Sequence, residues 1–189
     1  MAHDGQDMTL HSPVLPDLLS QTAAALEPVQ AILETAKTRV RDLVSEDGRV
    51  SGRLIEEHQT AAHGLAWLAT YVQSLAQMQK WAEALNADGK LGEIEQLIHQ
   101  IAFGEYLWQI NGGIQMNQAE MVRLQDLGLT PADFQVMMNP AILTLSQAAN
   151  TQAARTRLVE LMQEHAANIT VGNSGLDEEL EMIREQFRR

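Results

Sequence analysis

Cysteine is absent from the 189 residues, which removes disulfides, thiolate metal sites and cysteine catalysis together. No apolar run approaches the ~18 residues that a bilayer-spanning helix requires. The opening "MAHDGQDMTLHSP" has neither the basic head nor the apolar centre of a secretory signal. The expected location is therefore the cytoplasm, with no membrane span. Basic residues are scarce: 13 Lys and Arg stand against 25 Asp and Glu, a net charge of −12. They are scattered, with no stripe beyond Arg188-Arg189, and this argues against nucleic acid as a partner, because a phosphate backbone needs clustered cations. An acidic surface of this kind mainly keeps a protein soluble.

Catalytic patterns are missing as well. No Glu has a His three residues on, so the paired Glu-x-x-His ligands of a di-iron helical bundle cannot form. His58 and His63 are five residues apart, about 500° of helix rotation, which leaves them roughly 140° from a shared face. His99 follows Glu95 by four and could pair with it on a surface. There is no His-Glu-x-x-His, nucleophile elbow, P-loop or dinucleotide-binding glycine pattern. The carboxylate groups Glu56-Glu57, Glu93/Glu95 and Asp177 to Glu181 lie near expected helix starts, where acids complement the helix dipole. No metal ligands and no catalytic residues are assigned.

What is present is helical periodicity. With 45% hydrophobic and 20% charged residues the composition is globular, and almost nothing alternates as a strand would. Leu15, Leu18, Leu19, Thr22, Leu26, Val29, Leu33, Ala36, Val40 and Leu43 form one stripe over about 14–45, with a kink or a junction of two helices expected at Pro28. "SEDGR" (45–49) is a turn. A long helix from about Gly52 to Asn86 carries the stripe Leu54, Ala61, Leu65, Leu68, Val72, Leu75, Ala76 and Ala82. A second, aromatic stripe on it is Trp67, Tyr71, Met78 and Trp81; such a helix is central or also faces a partner. "NADGK" (86–90) stops it. A third helix, about Leu91 to Asn111, is expected to bury Ile94, Leu97, Ile98, Ile101 and Trp108.

Gly112-Gly113 then reads as a helix stop, since glycine accepts the left-handed backbone of a C-terminal boundary. Asn117 with Glu120 suggests a capping box for a short helix ending near Gly128. "TPAD" (130–133) opens another short helix, and "NP" (139–140) the last long one, to about Ile169. The expected fold is all-α, an antiparallel bundle of about four long helices with short connecting helices. Its divisions are a disordered start (1–13), a bundle (14–169), the linker "TVGNSG" and Leu176 (170–176), and a final helix (177–189). Asp177 caps that helix, Leu180, Ile183 and Phe187 form its apolar face, and its abrupt stop suggests a chain severed from a longer protein.

Two resemblances add to this. "GEYLWQINGGIQMNQAEMVRLQDLG" resembles the C-terminal bundle segment of acyl-CoA dehydrogenases, in which a Gln, a Gly-Gly and a downstream Arg-rich helix meet the flavin of a neighbouring subunit. Gln109, Gly112, Gly113 and Arg123 stand at the matching places. The family's aromatic-glycine continuation is here Ile114-Gln115-Met116, and its basic pair is the single Arg123, so the resemblance implies a vestigial flavin-contact turn. In addition, "EEHQTAAHGLAWLATYVQSL", "GEIEQLIHQIAFGEYLWQINGGIQMNQAEMVR" and "DLGL" are similar to the extra N-terminal domain carried by the branch of that family in the ethylmalonyl-CoA pathway. "LDEELEMIREQFRR" is similar to the first helix of the dehydrogenase core. The resemblance spans roughly residues 14 to 189.

It implies a parent enzyme that oxidises a branched acyl-CoA at its α,β carbons and passes hydride to FAD. The catalytic Glu and the flavin pocket would lie beyond Arg189, so this chain itself would hold no cofactor. Its partner would be the enzyme's own catalytic core, in a homo-oligomer, met through Trp67, Tyr71, Met78 and Trp81. Two other readings remain open: a standalone self-associating interaction module, and a bundle that holds an acyl chain between its helices.

Overall fold

The computed structural model describes residues 13–164 and 176–187. Residues 1–12, residues 165–175 (which include nearly all of the expected linker) and Arg188-Arg189 lie outside the described residues. The fold is all-α, as the periodicity predicts. Helix α1 (Leu18–Leu43) runs without interruption through Pro28, so the junction of two helices does not occur. It buries Leu18, Thr22, Ala25, Val29, Ile32, Leu33, Ala36 and Val40 along one face.

The "SEDGR" turn is a small antiparallel hairpin of β1 (Ser45–Glu46) and β2 (Arg49–Val50). Asp47 and Gly48 both have positive φ, 49° and 74°, the backbone that a two-residue hairpin turn requires and Asp-Gly favours. The expected second helix is two: α2 (Gly52–Glu57) and α3 (Gln59–Ala87), separated at His58, whose ψ of 33° leaves the helical range. Helix α3 ends at Gly89, φ 66°, where Lys90 N–H donates to the Leu85 carbonyl (2.8 Å) and Gly89 N–H to that of Asn86 (3.1 Å). These two bonds satisfy carbonyls that the last helical turn leaves open.

Helix α4 (Glu93–Gly112) returns antiparallel to α3. The chain then departs from expectation: Asn117 and Glu120 do not start a helix. They close the loop of a second hairpin, β3 (Ile114–Gln115) with β4 (Met121–Val122). The Asn117 carboxamide oxygen accepts from Ala119 and Glu120 N–H at 2.8 and 3.0 Å. A side chain that caps a helix can equally close a turn, and here the turn wins because Ile114 and Val122 are buried on both strands. Two short 3-10 helices follow, Leu124–Leu127 and Asp133–Met138. The second begins where the Asp133 carboxylate accepts from both Thr130 N–H and its hydroxyl, at 2.7 and 2.8 Å.

Asn139 caps α5 (Pro140–Ala148) by accepting from Ala141 N–H at 2.8 Å. The last long helix is broken into α5 and α6 (Gln152–Glu164). Thr151 restarts the chain, its hydroxyl accepting from Ala154 N–H at 3.1 Å. The break lies where α4 crosses at Gly104. A Cβ on Gly104 would be 2.9 Å from both Ala149 Cβ and Asn150 N. Gly104→Ala is therefore expected to lose about 2 kcal/mol through forced separation of the two backbones, read as a lower urea midpoint; no loss would mean that the crossing is not tight.

α1 packs on α3 and α5, α3 on α4, and α4 on α5 and α6. The shared core includes Val29, Ile32, Leu68, Leu75, Phe103, Leu107, Ile110, Leu127, Ile142 and Leu145. Buried Gln100 fastens the incoming chain: its amide donates to the carbonyls of Pro13 and Ala149 at 3.1 and 3.0 Å and accepts from Leu15 N–H at 2.7 Å. Arg157 on α6 forks onto Glu93 at the start of α4, at 3.2 and 2.9 Å. Helix α7 (Glu178–Phe187) is capped by Asp177, which accepts from Leu180 N–H at 2.9 Å. Leu180, Ile183 and Phe187 are all exposed. Among the described residues no helix is long and apolar enough to cross a membrane.

Candidate functional site

The chemistry-bearing side chains gather on the seam between α3 and α4 and at its open end. Trp67 and Tyr71 lie one turn apart on α3, their rings edge-on at 6.4 Å. The Trp67 indole N–H donates to His63 Nε2 at 3.0 Å. Tyr71 stacks on Tyr106 of α4, with ring centroids 4.5 Å apart and planes 24° from parallel. Its hydroxyl donates to Gln109 Oε1 at 2.5 Å, and Gln109 Nε2 donates to Glu105 Oε1 at 2.6 Å. The other Glu105 oxygen accepts from Asn150 Nδ2 at 2.6 Å, and Arg155 Nη1 donates to Asn150 Oδ1 at 3.0 Å.

This chain of polar groups crosses from α3 through α4 to the α5–α6 break. Burial, reinforced by Tyr106 and Glu105, raises the Tyr71 pKa above its ordinary value, so the phenol stays protonated and keeps donating. Removing that donor, Tyr71→Phe, is expected to cost about 1 kcal/mol. It should be read with Gln109→Leu in a double-mutant cycle, and fully additive losses would mean that the two side chains do not interact.

The four residues that the resemblance set at a flavin-contact turn, Gln109, Gly112, Gly113 and Arg123, are partly assembled. Gln109 is committed to Tyr71 and Glu105. Gly113 caps α4 with φ 134°, its N–H donating to the Gln109 carbonyl at 2.7 Å. A Cβ on Gly113 would be 2.5 Å from Met121 Sδ and 3.4 Å from Arg123 Cγ, so the hairpin lays Met121 and the Arg123 stem against it. Gly112 differs. It is the last helical residue, its φ is not left-handed, and a Cβ there would meet nothing within 4 Å.

Of the aromatic stripe, Trp67, Tyr71 and Met78 pack against the main core while staying half-buried, and Trp81 is half-buried too. Trp108, expected inside, is 56% exposed. Periodicity misplaced it because α4 meets α3 on one side and α5–α6 on another, and residue 108 falls outside both contacts. Sequence reading also passed over Glu105, Tyr106 and Asn150; a Glu-Tyr-x-x-Gln pattern beside an aromatic stripe is the signal that could have found the first two.

An open cleft of about 560 Å³ lies between the start of α3 and the second hairpin, lined by Ile55, Gln59, His63, Met116, Glu120 and Met121, among others. His58 and His63 are not brought together with a third ligand: the described residues contain no group of three His, Cys, Asp or Glu able to hold a metal.

Fold and site together define an all-α bundle whose polar seam between α3 and α4 is engaged in its own hydrogen bonds. No family model matches the chain. Along 177 residues, 94% of its length, it is 53% identical to a (2S)-methylsuccinyl-CoA dehydrogenase from Cereibacter sphaeroides. The acyl-CoA dehydrogenase resemblance drawn from the motifs is thereby borne out. The chain spans about a third (32%) of that relative's length.

Proposed function

We propose that these residues form a non-catalytic helical domain of a longer, FAD-dependent acyl-CoA dehydrogenase of the methylsuccinyl-CoA type, acting in the ethylmalonyl-CoA pathway. The observation that carries the reading is the 53% identity along nearly the whole chain to only a third of a methylsuccinyl-CoA dehydrogenase. The engagement of Gln109 by Tyr71 and Glu105 supports it, since a side chain bonded at both ends of its amide is not aimed at a flavin. In the complete enzyme the bundle (14–169) precedes a linker (170–176) and the first helix of the core (177–189). It packs on the catalytic core or at a subunit contact of a cytoplasmic homo-oligomer.

The base and the flavin pocket belong to the core, so two measurements test the reading. The native polypeptide carrying these residues should be far heavier than the 20.9 kDa of this chain. Residues 1–189 produced alone should take up no stoichiometric FAD and oxidise no acyl-CoA. Stoichiometric flavin on the isolated chain would overturn the accessory role, and a native band at 20.9 kDa would favour a self-associating module.

A further inference from the structure

One contact beside the seam joins an oxidisable ring to a base. The Trp67 indole N–H donates to His63 Nε2 at 3.0 Å, and an indole N–H is a donor only. Nε2 therefore presents its lone pair, and the neutral imidazole carries its proton on Nδ1. Trp67 is half-buried while His63 is exposed, so a proton taken up by the imidazole passes on to water. Two more electron-rich rings stand behind Trp67. Tyr71 lies edge-on to it at 6.4 Å, and Tyr106 stacks on Tyr71 at 4.5 Å. In a chain without cysteine, tryptophan and tyrosine are the side chains that give up one electron most readily, and rings this close exchange it.

The proton decides where such an oxidation comes to rest. An indole or phenol that has lost an electron is strongly acidic, and it settles as a neutral radical where a base takes its proton. The Tyr71 hydroxyl donates to Gln109 Oε1 at 2.5 Å, and an amide oxygen is no base at neutral pH. Trp67 faces an imidazole instead. A base held within hydrogen-bond reach speeds proton transfer by about a hundredfold or more.

We infer that the Trp67–His63 pair is a one-electron trap, fed by the Tyr106–Tyr71–Trp67 stack, for oxidising radicals that reach this bundle. The oxidant takes one electron from the indole. The N–H bond breaks, its proton moves to His63 Nε2, and a neutral indolyl radical and an imidazolium remain. This activity goes beyond the accessory reading of the chain and does not depend on the length of the native polypeptide.

The test exposes the full-length polypeptide to the azide radical, an uncharged one-electron oxidant, in air. Oxygen converts the tryptophan radical into a stable product, and peptide mass spectrometry marks its position. Trp108, 56% exposed, is the internal reference. Oxidation is expected to concentrate at Trp67 in spite of its burial. His63→Gln keeps an acceptor for the indole N–H but takes no proton, and His63 is exposed, so the exchange leaves the core intact. It should cut the Trp67 yield by about tenfold, as loss of a positioned base does. Oxidation that follows exposure, with Trp108 ahead of Trp67, overturns the trap, and so does an unchanged Trp67 yield in His63→Gln. Tyr71→Phe, which keeps a ring but removes the oxidisable phenol, should lower the Trp67 yield too; no change there overturns the feed through the stack.

Discussion

Phe103→Ala is expected to lose about 3–5 kcal/mol of unfolding free energy, the range for deleting a fully buried phenylalanine. Phe103 is 0% exposed and belongs to the main core on α4. Its ring lies 4.8 Å from that of His99, tilted by 59°. The position within that range follows from how far the surroundings can close in. The next residue, Gly104, holds α4 against the backbone of Asn150, with Ala149 Cβ equally close, so α4 cannot move toward α5 to fill the space. The loss should therefore fall in the upper half of the range. Urea unfolding followed by circular dichroism reads it as a lower midpoint at unchanged slope; a loss under about 1 kcal/mol would place Phe103 outside the core.

Acid should weaken the fold before the carboxylates are protonated, and His99 is the reason. The residue is fully buried on α4. Its Nε2 faces the Thr22 hydroxyl at 3.0 Å, and that hydroxyl gives its proton to the Leu18 carbonyl at 2.9 Å. The ring is thus neutral with Nε2–H donating to Thr22, while buried Nδ1 has no partner. Protonation would place a charge and an N–H without an acceptor in the core, and burial lowers the pKa from 6.5 to about 4. Because the folded value is depressed, the unfolded chain binds the proton first as pH falls. The contribution is complete above about pH 6.5 and is lost progressively down to about 4.

The full swing is on the order of 3 kcal/mol. Glu46 is held below its ordinary range by hydrogen bonds from Ser51 and Arg53, and Asp133 by those from Thr130; their contributions are lost at lower pH. Chemical denaturation at several pH values between 4 and 7 should show the slope, and His99→Leu should flatten it. An equal slope in that variant would assign the acid sensitivity elsewhere.

Much of the architecture follows from local rules that act within a few residues. Apolar spacing placed α1, α3 and α4, Gly89 and Gly113 ended helices where glycine was needed, and Asn139-Pro140 opened α5. The motif set pointed to the dehydrogenase relative because such motifs survive as linear strings. One miss came from competition between local options of similar free energy. Asn117 and Glu120 can cap a helix or close a hairpin. The choice fell to the hairpin because Val122 packs where α3 has only Gly64, on which a Cβ would lie 2.3 Å from Val122 Cγ2.

The candidate site was less legible than the fold. Tyr71, Glu105, Gln109 and Asn150 come from three segments, and only their side-chain hydrogen bonds join them. Trp108 has the apolar character of a core residue, and nothing in its neighbours along the chain says otherwise.

The sequence by itself determined an all-α chain of long amphipathic helices with defined stops, because helix period and glycine caps depend on neighbours within about one turn. The tertiary structure alone decided where α5 and α6 part, that the Gly-Gly stop leads into a hairpin, and that Trp108 stays outside. The first two depend on how closely segments far apart in the chain approach at Gly104 and Gly64, and the third on which sides of α4 its neighbours cover, distances that no local pattern encodes.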